Sequence, residues 1–256
     1  MLSNEAENAS LKAKRYVPCE AFRKNGENAH GNTMPYTSQL PRLWHNSRVI
    51  VDFKPISPKD GDLFNGRNPV EVAVQLEKAG ILGLSVVTES ENFGGSLDLL
   101  RSITSAVNLP VLRKDFIKSE EDLYETLDCG ATHILLICSM MDNVGELYEK
   151  SLSIGLKPLV EVHTQEEMEF AKSLGAKLIG INNKDITILE KDSGNVDLTI
   201  ELIKSAPTDA FIISESGITN RTDAEKALQN GANAVLVGTA FWQGKLDILG
   251  DKPQLS

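Results

Sequence analysis

Side chains suited to acid–base chemistry recur where short apolar runs of the chain end. Asp52 and Lys54 stand two residues apart at the first run, Lys114 follows the third, and Glu161 and His163 stand two apart at the fifth. A protonated lysine can give a proton to an oxygen that gains charge, and a carboxylate can accept or return one. The pattern predicts an acid–base site for an anionic molecule.

Later runs continue this pattern. Asn182 and Lys184 follow the sixth run, again two residues apart. Because side chains alternate between the two faces of a strand, residues two apart share a face. The same parity at the seventh run predicts that Ser214 and Ser216 point into the site. It also predicts that Glu215 points outward, where it could pair with a helix residue.

Small residues near the end of the chain predict a phosphate site. Gly217 follows the seventh run, and Gly238 with Thr239 follows the eighth, each at the start of a helical pattern. Small residues there let backbone N–H groups approach an anion. Ser57, after the first run, could add a hydroxyl. The alternative is that these glycines only allow tight turns.

These groups need elements that bring them together. The runs are rich in Val, Ile and Leu and apolar on both faces, which is typical of buried parallel strands. Helical patterns lie between them at 69–79, 119–128, 164–174, 197–204 and 222–229, several of them followed by a glycine suited to a left-handed C-cap. The eight predicted strands cover residues 48–53, 83–87, 109–112, 133–138, 157–162, 177–181, 210–214 and 234–237.

Alternating strands and helices allow a closed barrel or an open doubly wound sheet. An open nucleotide-binding sheet usually has a glycine-rich loop after its first strand, whereas this chain has KPISP at 54–58. The sequence therefore predicts a single-domain (β/α)8 TIM barrel over residues 48–250. Residues 1–47 are predicted to be a partly irregular N-terminal extension that could hold a short helix near 19–24, and 251–256 a tail.

Composition excludes several kinds of partner. The 256 residues carry a net charge of −10, which disfavours a nucleic-acid partner. No apolar run approaches the roughly 20 residues that span a membrane, and the N-terminus lacks a signal-peptide core. Cys19, Cys129 and Cys138 are odd in number without C-x-x-C spacing, so we expect reduced thiols, a cytoplasmic location and no metal site.

Long motifs in a fixed order resemble those of the indole-3-glycerol phosphate synthase family. The resemblance runs from about residue 49 to residue 241 and includes departures as well as matches. Its motifs are KPISP at 54–58, VTE at 87–89 with FGGS at 93–96, PVLRKDF at 110–116, LVEVH at 159–163, IGINN at 179–183, SESGI at 214–218 and LVGT at 236–239.

The resemblance implies a (β/α)8 barrel that closes an indole ring without cofactor or metal. The implied substrate is 1-(2-carboxyphenylamino)-1-deoxyribulose 5-phosphate, which loses carbon dioxide and water. By similarity, Lys114 is the general acid at the ketone oxygen, and Lys54 is the cation near the substrate carboxylate, where it could also act as an acid. Glu161 serves the dehydration, while Asn182 and Ser216 orient the substrate.

The resemblance also implies the binding residues. Ser57, Gly217, Gly238 and Thr239 would hold the phosphate. Phe93 and Phe116 would border the aryl ring. A substrate that is anionic at both ends meets a chain of charge −10, so Lys54, Lys114 and Lys184 must reverse the repulsion locally.

Two positions depart from the family pattern and leave alternatives open. Asp52 replaces the family's Glu and reaches one methylene less far, and Lys184 replaces the usual Arg, which has a bidentate fork. Both changes keep the sign of the charge, so we expect retuned activity. The alternatives are a non-catalytic relative that binds a phosphosugar and a Schiff-base aldolase or lyase on a related phosphosugar. The expected assembly is a monomer or weak homo-oligomer.

Overall fold

Eight parallel strands close into a barrel in the computed structural model, which describes residues 46–140, 143–184 and 195–249. The first strand pairs with both the second and the eighth, so the sheet has no free edge. The strands are β1 (Val49–Phe53), β2 (Gly83–Val87), β3 (Val111–Lys114), β4 (His133–Ile137), β5 (Lys157–Val162), β6 (Leu178–Asn182), β7 (Phe211–Glu215) and β8 (Ala234–Val237).

The predicted (β/α)8 barrel is confirmed. Each strand begins and ends within two residues of a predicted run, because a strand buried on both faces must be apolar along its whole length. The described residues also include a short antiparallel hairpin, Ile56–Ser57 with Gly61–Asp62, which the sequence did not indicate.

Helices follow the strands around the outside of the barrel. Gly80, Gly130, Gly175 and Gly231 adopt positive φ after their helices, as predicted. In the described part of the chain the α-helices are α1 (Pro69–Lys78), α2 (Leu97–Ala106), α3 (Glu120–Asp128), α4 (Val144–Ser153), α5 (Gln165–Ser173), α6 (Asp197–Leu202), α7 (Arg221–Gln229) and α8 (Thr239–Trp242).

The start of α5 shows how local sequence fixes a helix end. The Thr164 hydroxyl accepts the Glu167 N–H at 3.2 Å, and the Glu167 carboxylate accepts the His163 N–H at 2.6 Å. These bonds satisfy donors that a helix N-terminus would otherwise leave unpaired. They also fix the chain where it leaves β5, close to Glu161.

The last helix ties the first strand to the end of the barrel. The indole of Trp242 packs against the rings of Phe53 and Phe64, with centroids 5.1 Å and 4.6 Å away. Its Nε1 donates to the backbone oxygen of Asp52 at 2.8 Å. The carboxyl end of β1 is therefore held from the side of α8.

Two of the predicted segments, the extension at 1–47 and the tail at 251–256, lie outside the described residues except for positions 46 and 47. The short helix near 19–24 lies outside them as well. The domain boundaries stay predictions. No helix in the described ranges is long and apolar enough to cross a membrane.

Candidate active site

The carboxyl ends of the barrel strands surround a polar pocket with two adjoining parts. Of the thirteen site residues that the sequence predicts, twelve line it, and the thirteenth, Glu161, lies directly beneath it. The twelve are Asp52, Lys54, Ser57, Phe93, Lys114, Phe116, Asn182, Lys184, Ser216, Gly217, Gly238 and Thr239. The structure thus brings together groups from distant stretches of the chain.

The floor of the pocket is one ammonium between two carboxylates. Lys114 Nζ lies 3.2 Å from Glu161 Oε2 and 3.3 Å from Glu215 Oε2. Both glutamates are fully buried. Asn182 Nδ2 donates to the other Glu161 oxygen at 3.1 Å, so the Glu161 carboxylate is oriented on both sides.

Burial and charge act against each other in this cluster. Burial alone would lower the pKa of Lys114, but the carboxylates of Glu161 and Glu215 outweigh it and raise that pKa above its ordinary value. Burial would raise the pKa of Glu161, yet Lys114 and then His163 bring it below the ordinary value. For Glu215, burial dominates over Lys114 and raises the pKa to about 7.

The predicted orientations of Glu215 and Ser214 are both wrong. The Glu215 side chain points into the barrel towards Lys114, whereas the Ser214 hydroxyl faces outward to Thr199 Oγ1 at 2.8 Å. Strand β7 continues through Glu215, so inward side chains there have the parity of Glu215 and not of Ser214.

Ser216 still reaches the pocket because the strand has already ended. Its φ of 60° and the φ of 67° at Gly217 turn the chain through the left-handed region. Strand alternation no longer applies in such a turn. Asn183 secures it, since its Nδ2 donates to the backbone oxygens of Glu215 at 2.8 Å and Ser216 at 3.3 Å.

Asp52 is held by a buried hydroxyl. Ser85 Oγ, fully buried on β2, donates to Asp52 Oδ1 at 2.6 Å. Gly238 leaves room beside it, because a Cβ at that position would lie 3.3 Å from Asp52 Cβ. The carboxylate of Asp52, on a side chain shorter than the family's Glu, is therefore fixed close to the barrel wall.

The aromatic side of the pocket is built on two fixed turns. Glu89 accepts the N–H groups of Asn92 at 2.9 Å and Phe93 at 3.0 Å, which positions the Phe93 ring. Lys54 Nζ lies 5.5 Å from the centre of that ring, within the range of a cation–π contact. Directly after β3, Asp115 accepts the Phe116 N–H at 2.8 Å.

The other side of the pocket has small residues and further cations. Ser57 lines it while its hydroxyl donates to Asp60 Oδ2 at 3.1 Å. Lys59 and Lys245 also line this part, and the sequence did not single them out. Lys59 lies within the hairpin after β1 and Lys245 lies beyond α8, so neither strand-end position nor periodicity could have found them.

Metal ligands are a separate question. In the part of the chain that the structure describes, no group of three or more His, Cys, Asp or Glu side chains is placed to hold a metal ion. At the floor of the pocket, Lys114 and Asn182 are hydrogen-bond donors to the carboxylates of Glu161 and Glu215. That arrangement suits proton transfer and anion binding.

A (β/α)8 barrel with ammonium and carboxylate groups around an anion-accepting mouth defines an enzyme of the general acid–base class. Residues 4–247 match the family model described as "Indole-3-glycerol phosphate synthase". The chain belongs to the indole-3-glycerol phosphate synthase family.

Curated relatives with that name agree over most of their length. The chain is 42% identical over 205 residues to the indole-3-glycerol phosphate synthase of Thermococcus kodakarensis, covering 80% of this chain and 90% of that protein. It is 41% identical over 209 residues to the indole-3-glycerol phosphate synthase of Pyrococcus furiosus, covering 81% of this chain and 91% of that protein. It is 34% identical over 238 residues to that of Carboxydothermus hydrogenoformans, covering 90% and 88%.

A solved structure supports the fold alone. The N-acetylmannosamine-6-phosphate 2-epimerase of Clostridium perfringens aligns with a TM-score of 0.60 at 18% identity, covering 82% of this chain and 93% of that one. At that identity the likeness concerns the barrel and not its chemistry.

Proposed function

We propose that this chain converts 1-(2-carboxyphenylamino)-1-deoxyribulose 5-phosphate to indole-3-glycerol phosphate, carbon dioxide and water, a step of tryptophan biosynthesis. The aryl carbon that bears the carboxylate attacks the ketone carbon, carbon dioxide leaves, and loss of the former ketone oxygen as water completes the indole. The single observation that supports this function best is the Lys114 ammonium held between Glu161 and Glu215 at the floor of the pocket.

In ring closure, Lys114 gives its proton to the ketone oxygen as that oxygen gains negative charge. The neighbouring carboxylates raise the pKa of Lys114 despite its burial, so it is an ammonium whenever substrate arrives. The same property disfavours the Schiff-base alternative, because a nucleophilic lysine needs a lowered pKa. Lys54 faces the substrate carboxylate until carbon dioxide leaves.

In dehydration, Glu161 takes a proton from the ring system and Lys114 returns one to the departing hydroxyl. Asn182 keeps the Glu161 carboxylate oriented during this exchange. Glu215, whose pKa is about 7, can hold a proton at neutral pH and restore Lys114 between steps. The cluster therefore passes protons among three groups that already touch.

Binding relies on local cations. The phosphate lies against Ser57, Gly217, Gly238 and Thr239, where Lys59 and Lys245 add positive charge. The aryl ring lies between Phe93 and Phe116. These charges oppose the far field of a chain at −10 and keep the doubly anionic substrate bound.

Product analysis tests the function. The purified full-length protein and the carboxyphenylamino substrate should give indole fluorescence together with one carbon dioxide per indole, and mass spectrometry should identify indole-3-glycerol phosphate. Phosphate-ligand binding in calorimetry without turnover at high enzyme concentration would instead indicate the non-catalytic alternative. A substrate adduct on Lys114 after borohydride treatment would indicate the Schiff-base alternative.

We further propose a cytoplasmic location and a monomer or weak homo-oligomer without nucleic-acid or membrane partners. Cys129 and Cys138 are free thiols, which is in keeping with a reducing compartment. Analytical ultracentrifugation over a range of concentrations tests the assembly: a concentration-independent dimer mass would contradict it.

A further inference from the structure

His163 lies between two carboxylates at the end of β5. Its Nε2 is 3.4 Å from Glu161 Oε1, and its Nδ1 is 3.5 Å from Glu167 Oε2 on α5. The side chain is only 14% exposed. Each ring nitrogen therefore faces a different acidic group, one belonging to the catalytic cluster and one to the helix that follows the strand.

This arrangement suits an imidazolium. A neutral imidazole has one N–H and one lone pair, so one of its nitrogens would turn a lone pair towards a carboxylate. An imidazolium has an N–H for each. Both nitrogens are buried and make no hydrogen bond among the described residues, so the two carboxylates act on the ring through their charge, at ion-pair distance.

The groups that face His163 are predominantly acidic. They are Glu161 on β5, Glu167 on α5 and Glu215 on β7. The thiol of Cys138, just beyond β4, lies in the field of Glu167 and Glu161 and has its pKa raised by burial to about 12, so it is neutral. Lys114 lies on the far side of Glu161.

We propose that His163 is a positioning residue: as an imidazolium between Glu161 and Glu167, it holds the Glu161 carboxylate ionised and aimed at Lys114. Only the effect of His163 on turnover rests on the proposed function. The ion-pair chain itself, Lys114–Glu161–His163–Glu167, is a property of the ligand-free protein.

The balance of burial and charge supports the chain. Burial would lower the pKa of His163, but Glu167 and Glu161 outweigh it and raise the pKa above its ordinary value. Glu167 cannot swing away, because its carboxylate also accepts the His163 backbone N–H at 2.6 Å. Burial would raise the pKa of Glu167, but His163 outweighs it and lowers that pKa below its ordinary value.

The consequence for catalysis is specific. His163 does not belong to the described pocket wall, so its loss should leave substrate affinity nearly unchanged. Loss of its positive charge should make Glu161 bind a proton more readily. The acidic limb of the kcat profile should then move to higher pH, an effect that a purely structural role would not produce.

The first test needs no substrate. Histidine side-chain NMR of the full-length protein, with His163 assigned from His163→Gln, should give a pKa above the ordinary value of about 6.5. Glu167→Gln keeps a capping oxygen and removes the charge, so it should lower that pKa. Glu166→Gln, on the exposed side of the same helical turn, should leave it unchanged. A His163 that titrates at or below about 6.5, or does not respond to Glu167→Gln, would overturn the proposal.

The second test measures turnover against pH. His163→Gln should lower kcat by up to about 100-fold, the cost of a catalytic group misplaced by about 1 Å. KM should stay near the wild-type value, and the acidic limb of the kcat profile should move to higher pH. Glu167→Gln should move the acidic limb of the kcat profile in the same direction, but by a smaller amount. If His163→Gln does not fold, Glu167→Gln alone provides this test. If the variants are active but the acidic limbs of their kcat profiles stay at the wild-type pH, the role of His163 is refuted. A wild-type protein without turnover would refute the proposed function and leave the NMR test standing.

Discussion

Gly180 on β6 faces the carboxylate of Glu215 on β7 with no space between them. A Cβ at Gly180 would overlap Glu215 Oε1 and lie 3.5 Å from a methyl group of Leu159. The absence of a side chain at this one position therefore allows Glu215 to lie inside the barrel beside Lys114.

Gly180→Ala should displace Glu215 and weaken both the fold and the activity. Overpacking in a close-packed interior typically costs about 1–3 kcal/mol, measurable by urea unfolding, and kcat should fall with it. The control is Gly145→Ala on α4, where the new methyl meets only Leu174 at 3.5 Å, an ordinary contact. Equal stability of the two variants would contradict the close approach.

Glu215→Gln should change how stability depends on pH. The folded-state pKa of about 7 exceeds the ordinary 4.5, so Glu215 contributes stability below about pH 4.5 that is lost as pH rises through about 7. An amide does not titrate. The melting temperature of the variant relative to wild type should therefore be higher at about pH 8 than at about pH 5. If the melting temperatures of variant and wild type change with pH in parallel, the pKa of Glu215 is not raised. Glu91→Gln, at an exposed position, is the control.

Asp52 variants should separate charge from reach. Asp52→Glu keeps the charge but moves the carboxylate by about one methylene, which should lower kcat/KM by up to about 100-fold. Asp52→Asn removes the charge and should lower kcat/KM further. Ser85→Ala should also lower kcat/KM, because it removes the donor that fixes Asp52. A Ser85→Ala enzyme with wild-type kinetics would show that this bond does not position the carboxylate.

His133 should make the fold sensitive to acid. It is buried at the opposite end of β4 from the pocket, and burial, with Lys157, lowers its pKa to about 3. The unfolded chain binds the proton from about pH 6.5 downward, so stability falls as pH drops through that range. In His133→Gln, the free energy of unfolding measured in urea should therefore fall less between about pH 6.5 and pH 4 than it does in the wild type. An unchanged slope would contradict the assignment.

Much of the fold follows from the sequence because burial on both faces leaves a clear signature. The runs at 83–87, 157–162 and 234–237 coincide with their strands. The glycines that end helices, such as Gly80 and Gly130, were equally visible, because few other residues adopt positive φ without strain.

The site was only partly predictable, since side-chain direction depends on where a strand ends. The outward prediction for Glu215 extends strand alternation past the run at 210–214 to Ser216, whereas the chain turns at Ser216 with a φ of 60°. Lys59 and Lys245 were missed because they lie in connections that carry no periodicity. The pairing of Lys114 with two glutamates depends on contacts across 47 and 101 residues of sequence.

The most direct test of the proposed function compares Lys114→Ala with Lys118→Ala in the fluorescence assay for indole-3-glycerol phosphate. Lys118 is exposed beyond the same strand and serves as the matched control. Lys114→Ala should lower kcat/KM by about 10²- to 10⁴-fold, the usual value of general acid catalysis, while Lys118→Ala stays near wild type. Normal turnover by a folded Lys114→Ala protein would contradict the account.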